Sequence, residues 1–154
     1  MTREDSDRQL QEMLDREAIR DLVNRYFVAV WRQDVDAVAA LFAEDGAFRF
    51  AGIAVDENGK SRPTGHDEVQ TFKGRAVLHR MYTLALAEMR PLPFGHNHVV
   101  DLTGPDRATG HLVMEMRAAA DYALAGIVTY EDEYAKIGGK WLFARRFGRV
   151  QQPK

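Results

Sequence analysis

The apolar positions in the first forty residues repeat with the period of an α-helix. They begin at Leu10 and recur every three or four residues as far as Trp31, and no helix-breaking residue interrupts them before Gln33. This spacing predicts an amphipathic helix that starts at a capping-box sequence in residues 6–9 and ends near Gln33. Asp34 is a typical N-cap residue, and the apolar positions after it predict a short second helix.

The apolar period changes after the second helix. Phe48 and Phe50 alternate with small or polar residues, which predicts a half-buried strand. Apolar residues at helical spacing then predict a third helix over residues 67–89. Pro91 and Pro93 are expected to end that helix, because proline cannot continue the helical hydrogen bonding.

The last sixty residues predict two antiparallel hairpins. The first pairs residues 96–102 with 107–118, and the second pairs residues 127–137 with 140–150 across two glycines. The order of elements therefore predicts an α+β fold, in which three helices from the N-terminal half pack on one face of a curved, mainly antiparallel sheet.

The composition is that of one globular domain. The chain has 154 residues, of which 45% are hydrophobic and 29% charged, so we expect a single domain over residues 1–154 with 1–9 as a frayed end and 150–154 as a tail. It has no cysteine, which excludes disulfides and thiolate nucleophiles.

A net charge of −2 argues against nucleic-acid and anionic-membrane partners. Without an apolar leader or a membrane-length apolar run, a cytoplasmic protein is expected.

Short motifs are spread over residues 10–150 in a characteristic order: Asp15-Arg-Glu-Ala-Ile-Arg-Asp-Leu22, Arg25-Tyr26, Asp34-Val-Asp36, Leu41-Phe-Ala-Glu-Asp-Gly46, Asn97-His-Val-Val100, Tyr130-Glu-Asp-Glu-Tyr134, Lys140-Trp141 and Arg145-Arg146. In order and spacing they resemble the SnoaL-like group of the nuclear transport factor 2-like superfamily, with scytalone dehydratase-like, ketosteroid isomerase-like and dehydrochlorinase-like members. The resemblance implies a cone-shaped α+β fold, a hydrophobic cavity between helices and sheet, and a homodimer formed through the outer sheet face.

The resemblance also implies where a catalytic base would lie. Elimination enzymes of this group use a histidine on the strand after the long helix, oriented by a carboxylate on the first helix. Alignment on Asn97 places Pro93 at the histidine position, and alignment on Tyr26 places Trp31 at the carboxylate position. A shift of two residues would instead bring His96 near the histidine position. The histidine–carboxylate pair of the elimination enzymes is therefore predicted to be absent.

Other residues map to the cavity through the same resemblance. The candidate catalytic residues are Tyr26, Asp132 and Arg146. The tyrosine would polarise a carbonyl or phenol, the arginine would hold an enolate or carboxylate, and the aspartate is the inward carboxylate that could act as a base. The candidate ligand-binding residues are Trp31, Phe48, Phe50, Asn97, Met114, Met116, Val128 and Tyr130. If Asp132 is the base, Asp132→Asn should abolish turnover and leave the fold intact. In the alternative, Asp132 and Arg146 form a structural ion pair and the tyrosines pack as core.

The inward direction of Arg146 depends on the register of the last hairpin. A three-residue loop with a bulge would pair Tyr130 with Arg146. A two-residue loop of Gly138 and Gly139 would pair Tyr130 with Phe147 and turn Arg146 to the other face. The mapping onto the SnoaL-like group favours the first register.

Three histidines lie around the first hairpin. A turn centred on Gly104-Pro105 would pair His98 with His111, and strand alternation would put His96 on the same face. That face is the outer one, so we expect a hydrated or dimer-buried histidine cluster and no metal site.

Two functions remain open at this stage. The first is a cofactor-free isomerase, cyclase or dehydratase acting on a small cyclic polyketide, steroid or aromatic compound. The second is a non-catalytic ligand-binding or accessory dimeric domain that has lost the catalytic histidine. In both, the expected partner is a small hydrophobic molecule and no cofactor is needed.

Overall fold

Residues 1–152 are described by the computed structural model; the last two residues of the predicted tail lie outside it. The helices are α1 (Arg3–Trp31), α2 (Val35–Ala40) and α3 (Arg75–Met89), and the strands are β1 (Phe42–Ala51), β2 (Ile53–Val55), β3 (Ser61–Pro63), β4 (Val69–Lys73), β5 (Pro91–Gly104), β6 (Arg107–Ala118), β7 (Leu124–Ile137) and β8 (Lys140–Val150). Six strands form one sheet in the order β4-β1-β8-β7-β6-β5, and β2 pairs with β3 separately. Every neighbouring pair is antiparallel except β1 with β8.

The three helices pack on one face of the curved sheet, and the apolar core lies between the two layers. α1 crosses β5 and β8, whereas α3 packs on α2 and β1. This arrangement confirms the predicted α+β class. None of the helices within residues 1–152 has both the length and the apolar character required to span a membrane.

The first helix begins earlier than predicted. Thr2 is its N-cap, and the Thr2 hydroxyl accepts a hydrogen bond from the Asp5 amide at 3.1 Å while the Asp5 carboxylate accepts one from the Thr2 amide at 3.1 Å. The capping box predicted at residues 6–9 is therefore wrong, and most of the segment expected to fray is helical. The predicted cap of the second helix is confirmed, because Asp34 accepts a hydrogen bond from the Ala37 amide at 3.1 Å.

The predicted third helix is wrong in its first third, residues 67–74. Residues Val69–Lys73 form a strand along the free edge of β1, where Phe72 lies opposite Phe48. The helix starts only at Arg75, after Gly74 has turned the chain with a φ of 94°. Over so short a segment the apolar spacing fits a strand as well as a helix, and pairing with β1 decides the outcome.

The last hairpin has a two-residue loop followed by a bulge. Gly138 and Gly139 have φ angles of 59° and 77°, as a tight type I′ turn requires. Further along, β8 carries one more residue than β7, and Ala144 is this extra residue. The bulge reverses the phase of β8, so Arg146 faces inward and lies opposite Asp132.

Neither predicted partner of Tyr130 is therefore correct, although Arg146 does face inward as expected. Tyr130 lies opposite Gly148. A Cβ atom on Gly148 would come within 2.9 Å of the Tyr130 ring, so the glycine leaves the space that this ring occupies. The ring in turn lies on the Arg146 guanidinium, 4.1 Å from its central carbon.

Asp132 and Arg146 form a fully buried ion pair. Arg146 Nε donates to Asp132 Oδ1 at 2.9 Å and Nη2 donates to Oδ2 at 3.0 Å, and neither side chain is exposed to solvent. The rings of Tyr26 and Phe143 lie 4.4 and 4.5 Å from the guanidinium carbon. Burial of a charge is costly unless it is paired and hydrogen-bonded, so the strands around this pair are held in one register.

Two further side chains extend the polar network to the protein surface. The Tyr134 hydroxyl donates to Asp132 Oδ2 at 2.9 Å, and it lies 3.0 Å from His98 Nε2. Because the hydroxyl already donates to the carboxylate, His98 must donate to the hydroxyl oxygen through Nε2–H.

The bulge in β5 explains why His98 points inward. Asn97 has a φ of 55°, and the β5–β6 register shifts there so that Val99 lies opposite His111. The predicted pairing of His98 with His111 is therefore wrong, as is their common outer face. His96 and His111 remain at the surface, where each contacts a glutamate.

The ion pair gives the first prediction, which replaces the expectation that Asp132→Asn leaves the fold intact. This substitution removes the counter-charge of a buried guanidinium, and it should lower the free energy of unfolding by about 3–5 kcal/mol. Urea denaturation measures the loss. The matched control is Glu133→Gln, which breaks the adjacent half-exposed pair with Arg145 and should cost less than about 1 kcal/mol.

A double variant tests the cause of that loss. Asp132→Leu with Arg146→Met removes both charges, and Tyr134 can then donate its proton to His98 instead. Since apolar side chains of similar size often replace a buried ion pair without loss, the double variant should recover most of the stability. A double variant as unstable as Asp132→Asn would contradict this explanation.

The half-buried imidazole gives a prediction about pH. Burial lowers the pKa of His98, the Arg146 and Arg20 charges lower it further, and Asp132 opposes them. The unfolded chain, with a histidine pKa of about 6.5, then binds the proton first as pH falls. Neutral His98 therefore contributes its full share to stability at pH values above the unfolded-state pKa. This contribution is lost as the pH falls from the unfolded-state pKa towards the lower folded-state pKa.

His98→Gln should therefore reduce the decrease in stability between about pH 7 and pH 5, because the glutamine amide donates to Tyr134 without titrating. Urea unfolding at several pH values tests this, with His96→Gln as the control for an exposed histidine. Equal pH dependence in His98→Gln and the unmodified chain would refute the prediction.

Candidate functional site

A small apolar cavity lies between α1, α3 and the inner face of the sheet. Its volume is about 90 Å³. Seven of the predicted site residues line it: Tyr26, Phe48, Phe50, Met114, Met116, Val128 and Tyr130. The mapping through the SnoaL-like resemblance therefore placed residues of β6 and β7 on two walls of this cavity.

The helical wall was missed by sequence reasoning. It is formed by Met81, Tyr82, Ala85, Leu86 and Met89 of α3. These residues recur at spacings of one, three and four, which is the signal of one helix face. The signal was available in the sequence, but placing the helix start at residue 67 rather than Arg75 obscured which face turns inward.

Tyrosines supply the polar side-chain atoms among the residues that line the cavity. The hydroxyls of Tyr26 and Tyr82 are 2.8 Å apart and both rings are buried. Burial raises the pKa of Tyr26, and it raises the pKa values of Tyr82 and Tyr130 well above the ordinary value. All three hydroxyls are therefore protonated at neutral pH. In the Tyr26–Tyr82 pair one hydroxyl donates to the other, which leaves one proton free to bond a ligand.

Asp132 and Arg146 do not line the cavity but lie behind its floor. The carboxylate oxygens of Asp132 accept hydrogen bonds from Arg146 and Tyr134. The guanidinium is separated from the cavity by the rings of Tyr26 and Tyr130. This geometry makes Asp132 a counter-ion and gives it no direct contact with a ligand.

The other two predicted ligand-binding residues lie elsewhere. Asn97 is exposed in the β5 bulge. Trp31 is partly exposed at the end of α1, where its Nε1 donates to the Pro93 carbonyl at 2.6 Å and its ring packs edge-on against Phe94. Trp31 and Pro93, which the sequence resemblance aligned with the carboxylate and the histidine of the elimination enzymes, are thus in contact with each other in this fold.

A wider groove of about 720 Å³ lies outside α1, next to α2 and the β7–β8 loop. Five of its fourteen lining residues are charged, and the indole nitrogen of Trp141 is already bonded to Asp15. Within the described residues, the groove has no buried side-chain donor that lacks a partner. Over the same residues, no three His, Asp or Glu side chains are grouped so that they could hold a metal ion. The inner cavity is therefore the candidate site.

Comparison with known proteins agrees with this architecture. A nuclear transport factor 2-like protein with a cystatin-like fold from Novosphingobium aromaticivorans superposes with a TM-score of 0.79 at 21% identity, covering 99% of this chain and 92% of that one. A hexachlorocyclohexane dehydrochlorinase from Novosphingobium barchaimii gives 0.71 at 18% identity, with 94% and 91% covered. At these identities the likeness concerns the fold alone.

A variant of a Mycobacterium tuberculosis protein of unknown function is 28% identical, with a TM-score of 0.74 and coverage of 96% of this chain and 76% of that one. No curated protein matches the chain in sequence. The family model of the SnoaL-like domain matches residues 11–147, which is most of the chain. This protein therefore belongs to the family of SnoaL-like domains.

Proposed function

We propose that this protein binds a small, largely apolar ring compound carrying one oxygen that accepts a hydrogen bond, such as a ketone or a phenol. The observation that supports this most directly is the buried Tyr26–Tyr82 hydroxyl pair, 2.8 Å apart, in a cavity whose other lining side chains are apolar except for Tyr130. A few converging polar groups in an apolar pocket are what fixes the orientation of a small ligand.

Several contacts favour binding over elimination chemistry. An eliminating enzyme needs a base within reach of the ligand. In the alignment with the elimination enzymes, Pro93 takes the place of the catalytic histidine and Trp31 the place of the carboxylate. The Trp31 indole donates a hydrogen bond to the Pro93 carbonyl. Asp132 is occupied by Arg146 and Tyr134. We therefore propose that the protein is a non-catalytic ligand-binding domain.

An isomerase or cyclase is the second candidate. The observation that favours it is the free tyrosine proton, which could polarise a bound carbonyl. Such an enzyme would also require a proton acceptor, and the cavity side chains, apart from their protonated tyrosines, are apolar. This makes the candidate weaker than simple binding, although the fold accommodates either.

The size of the cavity constrains how a ligand enters. About 90 Å³ is below the ~150 Å³ of an apolar cavity known to hold benzene, so lining side chains must move to admit a ring. Met89 and Met116 are only partly buried, and they lie among the lining residues with Pro91 and Pro93. Methionine changes rotamer easily because its side chain is unbranched. We therefore expect these two methionine side chains to change rotamer when a ring compound enters the cavity.

We also propose a homodimer through the outer face of the sheet. The β5 strand presents Phe94 and Val99 there, with 43% and 55% of their surface exposed. Native mass spectrometry of the purified protein reports the subunit number directly.

The ligand proposal predicts the effect of removing the hydroxyl pair. Tyr26→Phe combined with Tyr82→Phe deletes both hydroxyls, so neither is left unpaired. Phenol should bind about tenfold more weakly to this double variant, in line with the loss of one hydrogen bond, whereas benzene should bind as before. Titration calorimetry with both compounds measures the difference.

Tyr122→Phe is the matched control, because Tyr122 is the exposed tyrosine at the β6–β7 connection. It should change neither affinity. Equal phenol affinity in the double variant and the unmodified chain would contradict a role for the hydroxyl pair.

The side chains that line the cavity include no base, so the protein should not catalyse exchange of the carbon-bound protons of a bound ketone. Cyclohexanone in heavy water should incorporate deuterium next to its carbonyl at the same rate with the protein as in buffer alone, because removal of that proton needs a base. Mass spectrometry follows the exchange. A protein-dependent acceleration would reverse the order of the two candidate functions.

A further inference from the structure

The N-terminal part of α1 extends beyond the folded core. Residues 3–14, which we call the arm, are exposed except for Asp5, which is half-buried. The first buried residue of the helix is Asp15. Asp15 accepts hydrogen bonds from Trp141 at 2.9 Å and Lys136 at 3.0 Å, which fix the helix to the sheet at this point. At the helical rise of 1.5 Å per residue, the arm is about 18 Å long.

The arm presents an apolar stripe to solvent. Leu10, Met13 and Leu14 are exposed over 56%, 67% and 55% of their surface. Their spacing of three and four residues places them on one side of the helix. The capping box at Thr2 orders the arm up to its first turn. Large apolar side chains grouped on an ordered helix indicate a surface that binds another protein surface.

The groove outside α1 continues this side of the helix towards its C-terminal end. Ala18, Asp21 and Arg25 line the groove, and they follow Leu14 at intervals of four, seven and eleven residues. The part of α1 that lines the groove ends at Arg32, so this wall is about 21 Å long. The lining residues that are buried are all apolar: Leu22, Ala29, Leu41 and Trp141. A groove of this length and character fits an amphipathic helix such as the arm.

The arm and the groove carry opposite net charges. The arm contains four acidic and two basic residues, and the groove lining contains three basic and two acidic residues. Within residues 1–152, Glu4, Asp7 and Glu12 of the arm form no ion pair. Arg32 and Lys140 of the groove form none over the same range. Charges that are unpaired in one copy can pair between two copies and orient their approach.

We propose that two copies of this chain associate through α1, with the arm of each copy in the groove of the other. The two helices then lie antiparallel, and the twofold axis passes near Glu17, between the arm and the groove. Because both surfaces belong to one helix, this pairing fills both grooves and closes at two copies.

This association goes beyond the proposed function and does not depend on it. It uses the helical side of the molecule and leaves the outer face of the sheet free. If the dimer through the sheet also forms, the two interfaces together produce a tetramer.

Native mass spectrometry of the full chain tests the association. Leu10→Gln combined with Leu14→Gln removes the apolar contacts of the arm and keeps residues that favour a helix. This double variant should have half the subunit number of the unmodified chain, whether or not the sheet interface forms. Val77→Gln is the matched control, because Val77 is an exposed apolar residue of α3, and it should leave the subunit number unchanged.

Two results would overturn the proposal. One is a double variant with the same subunit number as the unmodified chain. The other is an unmodified chain that is monomeric, which would leave the groove to a helix of a different protein.

A cross-link locates the contact without any change to the arm. The chain has no cysteine, so Glu17→Cys introduces a single thiol beside the twofold axis. A short bismaleimide should join two copies of this variant, whereas Glu88→Cys, at an exposed glutamate of α3, should remain unlinked. Addition of Leu10→Gln and Leu14→Gln to Glu17→Cys should abolish the cross-link. Equal yields from the two cysteine variants would refute the antiparallel arrangement even in a dimeric protein.

Discussion

The structure depends on the burial of the Arg146 guanidinium, which has no contact with solvent. A charged group in an apolar interior is stable only when a group of opposite charge is hydrogen-bonded to it. Arg146 has its partner in Asp132, bound through two nitrogens at 2.9 and 3.0 Å. Aromatic rings within 4.5 Å of the guanidinium carbon replace part of the lost hydration through cation–π contacts. Helix α1 supplies one ring through Tyr26, and β7 supplies another through Tyr130. The ion pair therefore links the helical layer to the sheet.

The backbone around the pair is adapted to it at four places. The extra residue Ala144 turns Arg146 inward, and the β5 bulge at Asn97 turns His98 towards the same network. Two glycines provide space: a Cβ on Gly148 would lie 2.9 Å from the Tyr130 ring, and one on Gly110 would lie 2.5 Å from the Tyr134 hydroxyl. Bulges and glycines weaken a sheet when considered alone. Their concentration here indicates that the buried network, rather than regular pairing, determines the local geometry.

The sequence predicts long elements better than short ones, because more residues of a long element carry its apolar pattern. Residues 10–31 of α1 and the long arms of the hairpins have a clear apolar period, and the presence of these elements is predicted correctly, although α1 starts at Arg3 and the pairings predicted for both hairpins are wrong. β4 has five residues, and there a helical pattern and a strand pattern cannot be separated. Register is harder still, because one inserted residue reverses every side chain beyond it. The local sequence around Ala144 carries no sign of the bulge, which is seen only in the structure, where Asp132 lies opposite Arg146.

The same limit explains which parts of the candidate site were predictable. Met114 and Val128 were assigned to the walls through the family resemblance. The place of Tyr82 depends on where a helix starts, and the role of Asp132 depends on what it contacts. An inward carboxylate in this family suggests a base until its partners are known. Once both oxygens are found to be bonded to Arg146 and Tyr134, Asp132 is the counter-ion of a buried guanidinium and is no longer a candidate base.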